Sequence, residues 1–270
     1  MPKHLAAAGH VNAIDMHEDY ILKKASDSEI LAYQLFCFKG HPLNHVVANF
    51  EIVNYNLLKL TRIDARMQNA SLMDIKIGYQ STSYQEAQKD KQPLQALVKA
   101  GRMKCLDSFY GSTVRGYRLE GYTKNGSPVA AKSNLAGCSK YYIAKELTSL
   151  TGDGLKIVVN IVTKAINEII SALAEQQIAF FSSSLLIAVD HDTPEKSQAK
   201  LIDLAHYVTH ADNQTEYERA EKSMTKGLLE ISSTFSAILN NKEPLLMFQQ
   251  QQKNRQEDAS TSMDLTHSYH

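Results

Sequence analysis

The sequence predicts an α+β protein, a small β-rich part with one helix first and a larger mixed part after it, an order compatible with two lobes. Three observations carry this. Residues 9–60 alternate short apolar runs with a single helical pattern. Two later stretches, 155–173 and 217–239, repeat apolar residues at helical spacing. Between those stretches lie two strand-like apolar runs joined by a turn.

Length and composition agree. A chain of 270 residues suits one large domain or two lobes around a cleft. Hydrophobic residues make up 43%, enough for a real core. Formal net charge is zero, so no global field recruits a partner. Cys37, Cys105 and Cys138 are odd in number and far apart, which fits a reducing compartment better than a disulfide framework. The N-terminus MPKHLAAAGH lacks the apolar stretch of a signal peptide. The most apolar run, Leu155 to Phe181, is broken by Lys164, Glu168 and Glu175, so no membrane span is expected. The expectation is a cytoplasmic or nuclear protein, monomeric, with no nucleic-acid partner.

Along the chain, DYILKKA (19–25) reads as a strand. SDSEILAYQLF (26–36) reads as a helix capped by Ser26 or Asp27. Residues 45–60, including HVVANFEIVNY, hold further strand-like runs. SLMDIKIG (71–78) is a strand, followed by a polar segment with helix-forming residues at 85–105. FYGSTVRGYRLEGY (109–122) has a hairpin-like pattern, and KNGSP (124–128) is turn chemistry. After the helix at 155–173 come SSLLIAVD (183–190), the turn HDTPEKSQ, and AKLIDLAHYV (199–208) as one continuous strand. The polar, glutamine-rich end predicts a disordered tail over 246–270. The chain divides at 1–62 and 63–245, with a polar, helix-forming segment near 80–108 inside the second part.

The strand 71–78 raises the chemical question. Side chains alternate along a strand, so Met73, Ile75 and Ile77 share one face and Asp74, Lys76 and Gly78 the other. Asp203, inside the apolar LIDLAHYV, is costly to bury unless it is hydrogen-bonded to backbone or binds a cation such as Mg²⁺. Ser183 and Ser184 could reach that cation or its waters. Lys23, or Lys24 beside it, could hold phosphates from an N-terminal strand, with Glu29 one turn into the next helix to orient it. Neither standard glycine-rich phosphate loop is present, and no HRD-type catalytic loop, so this is no ordinary protein kinase. Between Lys89 and Lys145, eleven Lys/Arg face three Asp/Glu, a surplus that fits either a solvated face or a strongly anionic ligand.

Taken in order, these segments resemble the inositol polyphosphate kinase family. Its PxxxDxKxG signature corresponds to ASLMDIKIG (70–78), its SSLL strand to Ser183–Leu186, and its IDFAH-like segment to Ile202-Asp203-Leu204-Ala205-His206. AGH (8–10), ILK (21–23), EILAYQ and VRGYRLEGY also resemble the family, so the likeness spans about residues 8–240.

The resemblance implies a two-lobed, protein-kinase-like fold and an ATP- and Mg²⁺-dependent kinase acting on a soluble inositol phosphate. Lys76 and Asp203 would be the catalytic pair, with Asp203 the Mg²⁺ ligand and Ser184 nearby. Lys23 would hold ATP phosphates, Asp74 the ribose, Ile202 the adenine, and the backbone of Thr61 and Ile63 the base edge. Lys76, Lys89, Lys91, Lys99 and His206 would contact the inositol phosphate. Three features depart from the pattern. Ala70 stands for the signature proline, Thr61-Arg62 stand for an acidic hinge pair, and the SSLL–IDLA connection is short. The first two motivate an alternative, a weak or inactive member that binds inositol phosphates or a protein partner.

Overall fold

The computed structural model describes residues 14–79 and 112–240, with a few positions between 94 and 105. The predicted segment near 80–108, with Lys89, Lys91 and Lys99, lies largely outside these residues, as does the tail.

The N-terminal part is a sheet of β1 (Ile14–Met16), β2 (Tyr20–Lys24), β3 (Phe50–Asn54) and β4 (Leu57–Thr61) in the order β1-β2-β4-β3. Helix α1 (Asp27–Phe36) follows β2 directly. Ser26 caps it as its sequence announces, accepting a hydrogen bond from Glu29 N at 3.2 Å. HVVANF starts differently from the strand expected of it: Pro42–His45 is a 3-10 turn, and Val47 bridges to Leu201 before β3 begins. Pro42 explains the turn, since it favours a first helical position and cannot donate to a ladder.

The second sheet is antiparallel and centred on β5 (Ala70–Ile77). On one side it pairs with β6 (Tyr117–Lys124) and then β7 (Ser127–Pro128). On the other it pairs with β9 (Ser184–Asp190) and then β10 (Gln198–Ile202). The hairpin is β6–β7, turning at Asn125 (φ 48°) and Gly126 (φ 75°), so KNGSP makes the turn. Upstream, Ser112–Arg115 is the short helix α2 rather than a first hairpin strand.

Helices α3 (Lys132–Gly137), α4 (Ser139–Leu147), α5 (Gly152–Gln176) and α6 (Gln214–Asn240) surround this sheet. Among the described residues, α5 is the helix long and apolar enough to cross a membrane by length and composition. Its apolar stripe is instead used internally: Val158, Val162, Ile166 and Ile169 are fully buried, and the helix packs on α6 and β10. Between α5 and β9 runs β8 (Ile178–Phe181), paired with β11 (His206–Thr209) in a separate two-stranded sheet.

AKLIDLAHYV is therefore two strands, not one. It leaves the β9 ladder after Ile202 and joins β8 at His206. Asp203 makes the break with φ 61°, a left-handed conformation that aspartate tolerates better than most residues.

The exit from β5 has its own cause. Gly78 has φ +97°, and its N–H bonds to Gly116 O at 2.8 Å. A Cβ on Gly227 of α6 would lie 2.5 Å from Gly116 O and 2.6 Å from Gly78 N. Gly78 thus allows the turn, and Gly227 the close approach of α6.

Candidate active site

Strand register assembles the site. On β5, burial alternates without exception: Ser71, Met73, Ile75 and Ile77 are buried, while Leu72, Asp74 and Lys76 are partly open. The open face lies toward Asp203, whose charge is felt by both Asp74 and Lys76; the space between them is termed the cleft. Lys76 lies opposite Ser184 on one side and Arg118 on the other. Ile202 lies opposite Ser184, so Ile202, Ser184, Lys76 and Arg118 form one row across four strands.

Asp74 sits in the next row, between Leu186 and Gly121. The pairing slips between Asp74 and Ile75, whose β6 partners are Gly121 and Leu119. Glu120 is thus the extra residue of a β-bulge. Gly121 leaves room for Asp74, because a Cβ there would lie 3.3 Å from the aspartate Cβ.

Lys23 ties the N-terminal sheet to this face. Its Nζ donates to Glu29 Oε1 at 2.8 Å and to Asp203 Oδ1 at 2.7 Å. Glu29 is buried and Asp203 is 41% exposed, so the lysine spans from the protein interior to the cleft. Lys24, the competing candidate, is exposed. Lys76 Nζ donates to the carbonyl of Ser182, itself at φ 57°.

The charges are strongly coupled. Burial works against the Lys23 ammonium, but Asp203 and Glu29 outweigh it and hold its pKa above the ordinary lysine value. Burial would raise Asp203, yet Lys23 and Lys76 together keep it below the usual carboxylate range. Asp74 goes the other way. Burial first, then the charges of Asp203 and Glu120, push it up to about 6 despite Lys76 and Ser184.

Several polar atoms here lack partners. Asp74 Oδ1, Ser183 Oγ and Ser184 Oγ are buried and have no hydrogen-bond partner among the described residues. Ser184 faces Asp74 closely enough to lower its pKa, without the geometry of a full hydrogen bond. Buried oxygens left this way ordinarily await a water, ion or ligand. No cluster of three or more His, Cys, Asp or Glu exists among the described residues. One carboxylate with hydroxyls nearby suits Mg²⁺, which keeps several waters.

The other expected residues fall as follows. His206 opens β11 and is near enough to lower the Asp203 pKa. Thr61 ends β4, and a cavity of about 750 Å³ is lined by Thr61, Arg62, Ile63, Ala48, Met67 and Lys200. Arg62 is engaged locally. It forks onto Asp64 at 3.0 and 2.7 Å and donates to the carbonyls of His17 and Glu18. Sequence reasoning missed Arg118, Glu120 and Lys132. The available signal is the alternation R-L-E in YRLEGY, which puts Arg118 and Glu120 on one face.

A strand lysine paired to a helix glutamate, with an aspartate and a second lysine nearby, could position a phosphate and neutralise its charge. The sequence profile of the inositol polyphosphate kinase family matches residues 57–236, and the chain belongs to that family. Solved structures agree in fold. Inositol phosphate multikinase Ipk2 from S. cerevisiae, in complex with ADP and Mn²⁺, aligns with a TM-score of 0.64 at 17% identity, over 82% of this chain and 99% of that one. A second inositol phosphate multikinase structure aligns at 0.56 and 14% identity, over 78% and 99%. No curated protein matches the chain at a significant level. The fold is thus the two-lobed, protein-kinase-like α+β fold, and the protein is an inositol polyphosphate kinase by family.

Proposed function

We propose that the protein transfers the γ-phosphoryl group of ATP, bound with Mg²⁺, in line to a soluble inositol phosphate. The observation that carries this is the convergence of Lys23, Asp74, Lys76, Ser184 and Asp203, where two buried oxygens, Asp74 Oδ1 and Ser184 Oγ, lack partners among the described residues. Phosphoryl transfer asks for positioning and charge neutralisation more than covalent chemistry, and this face offers both.

In this reading, Asp203 with Ser184 beside it would hold Mg²⁺, which would supply charge neutralisation at the nucleotide phosphates. Lys23 holds those phosphates, its own position fixed by Glu29. Asp74 accepts from the ribose hydroxyls through its unpartnered oxygen. Ile202 lines the base, and the backbone at Thr61 and Ile63 pairs with its edge. Because Arg62 is tied to Asp64 and the β1–β2 turn, the departure from an acidic hinge does not by itself favour an inactive binder.

Lys76, Arg118, Lys132 and His206 form the acceptor side, with Lys89, Lys91 and Lys99 assigned to it from the family pattern alone. The same reading takes the lobes as 1–62 and 63–245, and the protein as a cytoplasmic or nuclear monomer without nucleic-acid ligands.

The test is a panel of inositol phosphates incubated with labelled ATP and Mg²⁺, with products separated by charge. Label moving into a more anionic inositol species, only with Mg²⁺ present, supports the reading. No transfer across the panel, with nucleotide binding absent by thermal shift, overturns it.

A further inference from the structure

Glu120 is an anomaly in a face meant for a polyanion. Its side chain is only 13% exposed, and it is the bulge residue between Leu119 and Gly121. A carboxylate there repels a phosphorylated ligand, so it needs a compensating use.

The contacts supply one. Oε1 accepts from Arg118 Nε at 2.9 Å, with Nη2 at 2.8 Å, while Oε2 accepts from Lys132 Nζ at 2.9 Å. Arg118 is further fixed by its Nη1 donating to Ser112 Oγ at 2.9 Å. Each carboxylate oxygen therefore holds one cation. Arg118 is also the direct cross-strand partner of Lys76. Lys132 is half-exposed at the start of α3, and long flexible ammonium side chains lose substantial rotamer entropy when a ligand must order them.

Resting on the kinase reading above, we propose that Glu120 is a positioning residue for the acceptor. It pre-orders Arg118 and Lys132 as a paired cationic arm beside Lys76. The bulge makes this geometry available. With Arg118 opposite Lys76 and Leu119 opposite Ile75, a regular ladder would set Glu120 opposite Asp74, carboxylate against carboxylate. The extra residue sets Gly121 there instead and leaves Glu120 outside the ladder, turned toward the arginine. With Glu120 counted, Lys76, Arg118 and Lys132 still leave a net positive arm. The carboxylate therefore costs some attraction and gains fixed geometry.

The experiment compares wild type with E120Q and E120D in steady-state kinetics and in calorimetric binding of the inositol phosphate that wild type uses. Pre-ordering predicts that E120Q raises the acceptor KM and Kd about tenfold, leaves the ATP KM unchanged and lowers kcat less than threefold. E120D should recover part of the acceptor affinity. An E120Q enzyme with wild-type acceptor KM and Kd overturns the proposal, as does an equal loss toward ATP. A role confined to neutralising buried cations would lower the melting temperature without moving acceptor affinity. If wild type transfers no phosphate, the kinase reading fails separately. Inositol hexakisphosphate binding then decides this one, with equal Kd in wild type and E120Q overturning it.

Discussion

The two faces of β5 are one residue apart along the chain and differ in how they treat polar groups. On the core face, Ser71 joins a closed network at one end of the sheet. Glu146 is 1% exposed, yet accepts from the Tyr122 hydroxyl and pairs with His191 Nε2 at 2.6 Å. Ser71 Oγ lies 3.1 Å from the same histidine nitrogen. Burial would raise Glu146, but His191, Tyr122 and Ser71 outweigh it and keep its pKa low. On the cleft face, Asp74 is pushed up to about 6 and keeps an oxygen without a partner among the described residues. The fold thus satisfies a carboxylate packed at one face of β5 and leaves the one on the other face with an oxygen that has no partner among the described residues.

The most severe way to break this contrast is to remove the cleft charges. Lys76→Ala and Asp203→Asn should each lower kcat/KM at least a thousandfold, about 4 kcal/mol of transition-state stabilisation. Far-UV circular dichroism should stay close to wild type in both, while Asp203→Asn should lower the melting temperature because Lys23 loses one of its two carboxylates. Near-normal turnover in either variant would remove that residue from the chemistry.

The core face should respond in stability instead. Glu146→Ala leaves His191 buried without its carboxylate and should cost about 3 kcal/mol in urea unfolding. Turnover per folded molecule should hold within about threefold. A matching loss of acceptor or ATP affinity would show that the two faces are coupled rather than independent.

One of these faces is legible in the sequence and the other is hidden. The period of two in Met73, Ile75 and Ile77 is visible without a structure, and so is the placement of Asp74 and Lys76 together. The Ser26 cap and the stripes of α5 and α6 are equally local signals. The Glu146–His191 pair joins residues 45 positions apart, and nothing local announces it. Residues 132–147 give no readable element, because α3 and α4 are short and Tyr141 and Tyr142 blur the apolar period. Asp203 looks like a mid-strand residue because its neighbours are apolar. Its left-handed break depends on β10 and β11 joining different sheets, which is a tertiary fact. Arg118 and Glu120 are visible as an alternating pair, but only register and the bulge tell which cleft they face.

Asp74→Asn sharpens the comparison through its sign. Below about pH 4, Asp74 is protonated in both folded and unfolded chains, and the substitution should change stability little. Between about pH 4 and 6 the unfolded chain has lost the proton that the folded one keeps, because the folded pKa is about 6 against 3.8 for the free group. Stability therefore falls as pH rises through that range, and above it the loss levels off at roughly 2–3 kcal/mol, at about 1.4 kcal/mol per unit of pKa. In the metal- and nucleotide-free protein, Asp74→Asn should therefore raise the unfolding free energy at pH 8 and change it little at about pH 3. Urea titrations at the two pH values check this. The same variant should bind ATP more weakly, so a gain in stability comes with a loss of function. Glu146→Ala does the opposite, losing stability and keeping function. If Asp74→Asn destabilises the protein at pH 8, Asp74 is already satisfied in the free state and the contrast between the two faces fails.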